Sequence, residues 1–275
     1  MRTNIDKIRI ITVEEVIDES PTVRTLIFKD ELCAAAKPGQ FAMVWIPGID
    51  ELPMSVMISE KDGYAGLTIR KHGYASTALY NTIVGSLLGV RGPYGKPFDI
   101  SKGRVLLVGG GTGLVPLLRL ARELVKRKSK KTHVSLIIGA RTKEEVIFEK
   151  IAKSVLKNVN SKIIVTTEDG SYGFHGLATD AAAKVMERNN LSMVYACGPE
   201  RMMKKILEMA TSYKIPSQAS LERIMKCGIG ICCSCCVGKY LLCKDGPTMY
   251  GETVLGLPEF GSYARDKSGR ITNMW

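Results

Sequence analysis

The sequence has no long uninterrupted apolar run. Its richest apolar stretch, Val105 to Leu118, contains four glycines and Pro116 and ends at Arg119, so it makes a poor membrane span. Met1 to Asp18 mixes charged and apolar residues without a continuous apolar core, and no signal peptide is expected. Internal repeats and low-complexity linkers are absent. Acidic residues are in deficit, 27 against 39 basic ones, for a formal net charge of +12. That balance admits nucleic acid, an anionic cofactor or an acidic partner. The basic run Lys126-Arg127-Lys128-Ser129-Lys130-Lys131 lacks interleaved aromatics and falls at a helix end. It reads as a solvated helix terminus rather than a nucleic-acid groove. A composition 45% hydrophobic and 24% charged excludes wholesale disorder. A length of 275 residues suits two domains with a small third.

Cysteine is abundant and clustered. Six of the eight fall between Cys227 and Cys243, while Cys33 and Cys197 stand apart. A disulfide scaffold would spread them along a small secreted chain. This distribution predicts one metal-binding module on a larger, soluble, cytoplasmic protein whose thiols stay reduced.

Residues 1–100 predict a small β-barrel, with strands at Arg9–Val13, Val23–Phe28, Phe41–Ile46, Gly66–Arg70 and Leu87–Arg91 between turn signals such as Lys37-Pro38-Gly39. Residues 101–215 alternate strands and helices. Val105–Val108, His133–Ile138, Lys162–Thr166 and Ser192–Ala196 predict strands. Val115–Lys126, Lys143–Val155, Ala178–Arg188 and Glu200–Ser212 predict helices, together an α/β parallel-sheet domain. Residues 216–275 form the cysteine-rich module and tail.

Gly109-Gly110-Gly111-Thr112-Gly113-Leu114-Val115-Pro116 joins the first parallel strand to its helix. Glycines let a backbone approach a diphosphate, and the helix N-terminus offers free N–H groups. Gly109, Gly111, Thr112, Gly113 and Pro116 are therefore candidate dinucleotide contacts, although a plain tight turn explains them too. Cys197-Gly198-Pro199 ends another strand just before a helix, where open α/β sheets bind ligands. A cysteine at such a place also serves ordinary packing. In the barrel, Lys71 to Thr77 opens a further helix, with Ser76 or Thr77 as its cap and a possible phosphate contact.

Taken in order, Pro38-Gly39-Gln40-Phe41, Pro53-Met54-Ser55, Gly92-Pro93-Tyr94-Gly95, Gly111-x-Gly113-x-x-Pro116 and Cys197-Gly198-Pro199 resemble the ferredoxin-reductase family of flavoproteins. The resemblance implies a flavin barrel followed by a pyridine-nucleotide domain. It places FAD, or FMN as the alternative, against Pro53, Met54, Ser55, Thr68, Ile69, Arg70, Ser76 and Thr77. It places the nicotinamide of NAD, or NADP, against Cys197, Gly198 and Pro199, with Ser55 and Cys197 as catalytic residues. One position departs from the pattern. The family arginine before Pro-x-Ser is here Leu52, preceded by Glu51.

Cys227, Cys232 and Cys235 have C-x4-C-x2-C spacing with Cys243 as a fourth, the plant-type [2Fe–2S] pattern. Structural zinc also takes four thiolates and remains the alternative. Cys233 and Cys236 are surplus in either case. The stretch Ser220-Leu221-Glu222-Arg223, the cluster, Cys243-Lys244-Asp245-Gly246-Pro247 and Pro258-Glu259-Phe260-Gly261 resemble the electron-transfer subunits of NAD-dependent dihydroorotate dehydrogenase. That resemblance implies an oxidoreductase subunit of pyrimidine (UMP) biosynthesis, working through FAD and [2Fe–2S] with an FMN-containing catalytic subunit in a heterotetramer. Alternatives are a reductase subunit for a cytoplasmic hydrogenase, transhydrogenase or glutamate synthase, and a non-enzymatic zinc-binding interaction protein. Arg141 permits NADP without requiring it.

Overall fold

In a computed structural model, residues 5–127, 132–188 and 190–273 are described. Residues 128–131 of the basic run lie outside them. The N-terminal strands are β1 (Arg9–Ser20), β2 (Val23–Lys29), β3 (Phe41–Ile46), β4 (Asp50–Met57), β5 (Tyr64–Arg70) and β6 (Leu87–Tyr94). They close into an antiparallel barrel in the order β1-β2-β5-β4-β3-β6. Two short helices attach to it, α1 (Glu31–Ala34) and α2 (Tyr74–Tyr80). Alternation decides the barrel's inside. Ala42, Val44 and Ile46 of β3 join Leu26, Phe28 and Leu67 in its core. Cys33 is also there, fully buried, with burial pushing its thiol up to about 12, so it serves packing.

The second half supplies β7 (Arg104–Gly110), α3 (Leu114–Lys126), β8 (His133–Ala140), α4 (Glu149–Leu156), β9 (Asn160–Thr167), β10 (Phe174–His175), α5 (Ala178–Arg188), β11 (Met193–Cys197), α6 (Glu200–Ser212) and β12 (Ser217–Ser220). A cysteine-rich excursion follows, with hairpin β13 (Cys236–Val237) and β14 (Tyr240–Leu241), then α7 (Leu242–Asp245). The chain ends with β15 (Thr248–Tyr250), α8 (Gly251–Leu255) and a last hairpin of β16 (Tyr263–Arg265) and β17 (Ile271–Asn273). One sheet runs β10-β9-β8-β7-β11-β12-β15, parallel except for β15. Hence Ser217–Ser220 and Thr248–Tyr250, grouped by sequence with the cysteine module, are strands of the nucleotide sheet. Helices cover both faces, as continuous apolar strands such as Val105–Val108 require. Among the described residues no helix is long and apolar enough to cross a membrane.

Three expectations change. β4 is a strand beyond the five expected in the barrel, and it contains Pro53. It is tolerated since β4 meets β5 only through Val56 and Met57, so at Pro53 the strand has one neighbour. The helix expected over Lys143–Val155 breaks into a 3-10 turn, Lys143–Glu145, and α4. Between them Ile147 and Phe148 turn inward and are buried, with Phe148 left-handed at φ 67°. Burial of two large side chains outweighs helix continuity there. Finally, the cap of α2 is Gly73. Ser76 lies inside the helix, and its Oγ accepts from the His72 and Gly73 N–H groups, both at 3.0 Å.

The two halves are locked by Arg119 of α3, which is 6% exposed. Among the described residues its guanidinium has no ion-paired carboxylate, and it donates to five barrel carbonyls. Nε reaches Val56 at 3.0 Å, Nη1 reaches Ala34 at 2.9 Å and Ala36 at 2.7 Å, and Nη2 reaches Met57 at 3.1 Å and Cys33 at 3.4 Å. Burial pulls its pKa down to about 10, which still leaves it charged at neutral pH. Arg119→Met should cost about 3 kcal/mol or more, because buried carbonyls lose their donors. Denaturant unfolding checks this, and a loss under about 1 kcal/mol would contradict the lock.

Candidate active site and cluster-binding loop

The barrel opens where β4 and β5 part. β4 is unpaired with β5 from Asp50 to Ser55, and β5 is unpaired with β4 beyond Leu67. Two backbone edges therefore face one cleft, and they carry Pro53, Met54 and Ser55 on one side and Thr68, Ile69 and Arg70 on the other. Free edge N–H and C=O groups are what a planar polar ring system can pair with. The side chains divide. Ile69 is 1% exposed in the barrel core, and the Thr68 hydroxyl is hydrogen-bonded to Thr25 Oγ1 at 2.9 Å. Both residues are buried, and neither side chain reaches the cleft. Arg70 is exposed at the strand end, its Nη2 lying 3.1 Å from where a Cβ on Gly111 would stand. It bridges the barrel cleft and the glycine turn. Ser76 and Thr77 lie in the first turn of α2, with the Ser76 hydroxyl engaged as described. Leu52, at the position of departure, packs against the barrel core.

Gly109, Gly111, Thr112 and Gly113 wrap from β7 into a 3-10 turn that runs directly into α3, with Pro116 buried in the helix's first turn. β7 and β11 are parallel neighbours with Gly109 opposite Cys197, so the two ligand loops of the sequence lie side by side. The approach is backbone to backbone. A Cβ on Gly113 would stand 2.5 Å from the Cys197 carbonyl oxygen, and only glycine fits. Gly198 and Pro199 close over Gly110 from the other side.

Cys197 is buried, and its thiol is pushed up to about 12 by that burial and then by the charge of Glu222. It is a neutral thiol at physiological pH. Glu222 keeps part of its surface exposed while many protein atoms crowd its carboxyl. That crowding first, and then Glu200, raise its pKa above the usual carboxylate range, against the pull of Arg223 and of His72 from the barrel. Arg223 is buried, ion-paired to Glu200 and donating to the Glu222 carbonyl at 2.7 Å. Glu200 also accepts from Gly261 N–H at 2.7 Å, so one carboxylate ties the start of α6 to the tail.

The cysteine loop folds over the outer face of β3. Phe41 and Met43 of β3 and Tyr94 of β6 share a core with Met225, Cys235, Leu242 and Cys243. The four candidate ligands come as two pairs. The thiols of Cys227 and Cys232 perturb each other, as do those of Cys235 and Cys243. Loop amides point at their sulfurs: Gly230 N–H to Cys243 Sγ at 3.1 Å, Ile231 N–H to Cys227 Sγ at 3.4 Å and Cys243 N–H to Cys235 Sγ at 3.4 Å. Burial opposes ionisation of Cys227, but the N–H groups of Cys232, Ile229 and Ile231 outweigh it and bring the thiol to about 6. Thiolates are the ligating form. Among the described residues no three His, Cys, Asp or Glu side chains gather as ligands of one ion. Cys233 is exposed and Cys236 half-buried, on hairpin β13.

Comparison with known proteins agrees with this layout. Residues 107–208 match the family "Oxidoreductase NAD-binding domain", and residues 222–255 match "Iron-sulfur cluster binding domain of dihydroorotate dehydrogenase B". A protein of Methanocaldococcus jannaschii is 40% identical over 268 residues, covering 97% of this chain and 98% of that one. One of Thermoplasma volcanium is 40% identical over 260 residues, covering 94% and 96%. Both are named "Probable dihydroorotate dehydrogenase B (NAD(+)), electron transfer subunit". The chain belongs to this family of electron transfer subunits. Among solved structures, the NADH-dependent reduced ferredoxin–NADP oxidoreductase described for flavin-based electron bifurcation is similar, with TM-score 0.78 and 28% identity over 88% of each chain. A flavohemoglobin from Malassezia yamatoensis with bound FAD and heme shares the fold, with TM-score 0.64 and 20% identity over 76% of this chain and 57% of that one.

For an electron transfer subunit of this family, Glu222 is the residue that motif reading passed over. It stands inside the Ser220-Leu221-Glu222-Arg223 stretch, and its nearness to Cys197 is created by the β11–β12 pairing. A carboxyl with a raised pKa keeps its proton to higher pH than an ordinary one, which suits it to proton exchange. The rate of flavin reduction by NADH should then fall as pH rises through that raised pKa. Glu222→Gln should remove this limb in stopped-flow profiles, and an unchanged profile would exclude the role.

Proposed function

We propose that this chain is the electron transfer subunit of an NAD+-linked dihydroorotate dehydrogenase, passing electrons between a catalytic subunit and NAD in pyrimidine biosynthesis. Gly109, Gly111, Thr112, Gly113 and the start of α3 would hold the dinucleotide phosphates. Cys197, Gly198 and Pro199 would hold its nicotinamide. The β4 and β5 edges, with Arg70 and the start of α2, would hold FAD. Cys227 with Cys232, and Cys235 with Cys243, would each hold one iron of a [2Fe–2S] cluster. The donor set fits two irons by its pairing, where a single zinc would draw four thiols to one point.

The observation that carries this reading is the position of β3. Its residues Phe41 and Met43 stand opposite Ser55 and Pro53 of the flavin motif, and the cysteine loop packs on the same outer face. The two sites are thus separated by roughly one strand spacing plus side chains, about 10 Å of protein. Nicotinamides exchange electron pairs, iron–sulfur clusters exchange single electrons, and a flavin between them does both. The chain's part is to hold the three groups in that order, with Ser55 and Glu222 placed for hydrogen bonding and proton exchange at the flavin edge.

The cluster side faces outward. Cys232 is exposed, flanked by Ile231 at 75% exposure and Ile229 at 40%. Apolar side chains around an exposed ligand support docking of a partner there. The relatives' names as electron transfer subunits support a catalytic subunit as that partner, and we take it to carry FMN and to assemble with this chain as a cytoplasmic heterotetramer. Dihydroorotate itself would bind on that partner. The likeness to the NADH-dependent ferredoxin–NADP oxidoreductase favours, as a second reading, the same relay serving a transhydrogenase-type partner. Co-purification of the bound subunit separates the two.

The coenzyme should be NAD. Arg141, the cation that would welcome a 2′-phosphate, is held by Glu145, with Nη2 at 2.5 Å and Nε at 3.1 Å. Glu145→Ala should release it and raise kcat/KM for NADPH relative to NADH; no change in that ratio would remove Arg141 from coenzyme choice. Cys235→Ser should abolish the iron and sulfide content and partner-coupled reduction of NAD+ while NADH-to-dye activity persists. Full coupled activity without the cluster would overturn the relay.

A further inference from the structure

We propose that Arg91 is a positioning residue for the cluster: its guanidinium clamps the cysteine loop to the strand that carries the flavin motif and biases the cluster toward its reduced form. This rests on the assignment of Cys227 as a cluster ligand. Arg91 lies on β6 opposite Met43 of β3, which in turn lies opposite Pro53 of β4. From there its side chain crosses β3. Nε reaches Glu51 Oε1 and Nη2 reaches Glu51 Oε2, both at 2.7 Å, a two-pronged carboxylate contact. Nη2 also donates to the Cys227 carbonyl at 3.0 Å. The remaining nitrogen, Nη1, is 3.5 Å from the Tyr94 hydroxyl, and the guanidinium sits 5.8 Å from that ring's centroid.

One planar group therefore joins β6, β4 and the first ligand of the cluster. Lysine could not make these contacts together, since its point charge lacks the fork. The pair is largely shielded from water, with side-chain exposures of 13% for Arg91 and 22% for Glu51, so salt screens it weakly. The loop is held from a second direction at the next residue. Gly228 has φ 73°, and a Cβ on it would stand 2.8 Å from Met43 Cγ, so the loop rests directly on β3. Cys227 is fixed by its carbonyl on one side and by its neighbour's contact on the other.

Two consequences follow from charge and distance. Hydrogen bonds and charges around the ligands set the potential of an iron–sulfur centre. A cation at the Cys227 peptide favours the added electron, and Glu51 offsets it. Glu51 begins the segment that leads into Pro53-Met54-Ser55, so the same contact sets the separation across which electrons move.

The test is potentiometric EPR of the purified, reconstituted chain. Arg91→Gln leaves the Glu51 charge uncompensated and should shift the cluster potential downward. Glu51→Gln leaves the Arg91 charge uncompensated and should shift it upward. The double variant should return close to the parent. Loosening of the loop alone would move both single variants the same way, and shifts of one sign, or none, overturn the proposal. If Arg91→Gln fails to retain the cluster, Glu51→Gln decides by itself: an upward shift supports the clamp, and any other result rejects it. A parent protein with no [2Fe–2S] EPR signal on reduction would instead overturn the cluster assignment on which the proposal stands.

Discussion

The molecule depends on one buried cation. Arg119 carries its charge into the seam between barrel and sheet and is accommodated by the carbonyl oxygens of two segments. Removing a charge from water is costly unless every donor finds an acceptor. The acceptors come from the ends of two elements, β4 at Met57 and α1 at Ala34, and the Cys33 carbonyl also accepts from the Ala36 N–H at 3.1 Å. The helix that bears Arg119 starts at the glycine turn, and Val56 directly follows Ser55. The contact thereby fixes the glycine turn against β4. Apolar packing alone would hold the halves together without defining their angle.

The second organising element is β3. Its inward residues build the barrel core, and its outward residues Phe41 and Met43 form the floor of the cysteine loop. A single strand is therefore wall to both cofactor regions. Their separation is set by strand geometry and not by the conformation of a flexible arm.

Much of this was legible from sequence. Two helices, α5 and α6, and strand β3 fall where periodicity places them, because each has a regular pattern between clear turn signals. The motif order locates the barrel cleft, the glycine turn and the cysteine loop. What escaped depends on tertiary pairing. β4 hides behind Pro53, whose cost vanishes only because β5 diverges. β12 and β15 are too short for a pattern. Thr68 and Ile69 turn their side chains into the barrel, a direction that only the strand pairing decides. The contacts of Arg91, Arg119 and Glu222 join residues 40 to 136 positions apart, or across neighbouring strands, and carry no local signature. Leu52 looks like a defect in the motif; its side chain packs on the barrel core while Glu51 beside it engages Arg91.

The cysteine loop leaves the nucleotide sheet after Ser220 and returns at Thr248, and these two residues are paired partners on adjacent strands. Entry and exit are thus neighbours, about 5 Å apart. Whatever lies between them can change in length or content without shifting the sheet's register. The metal-binding segment is in that sense an exchangeable cassette, plugged into the edge of a dinucleotide domain that is geometrically complete without it. Electron carriers of different kinds could be fitted to one nucleotide-binding frame at this same pair of positions, each arriving beside the same barrel wall.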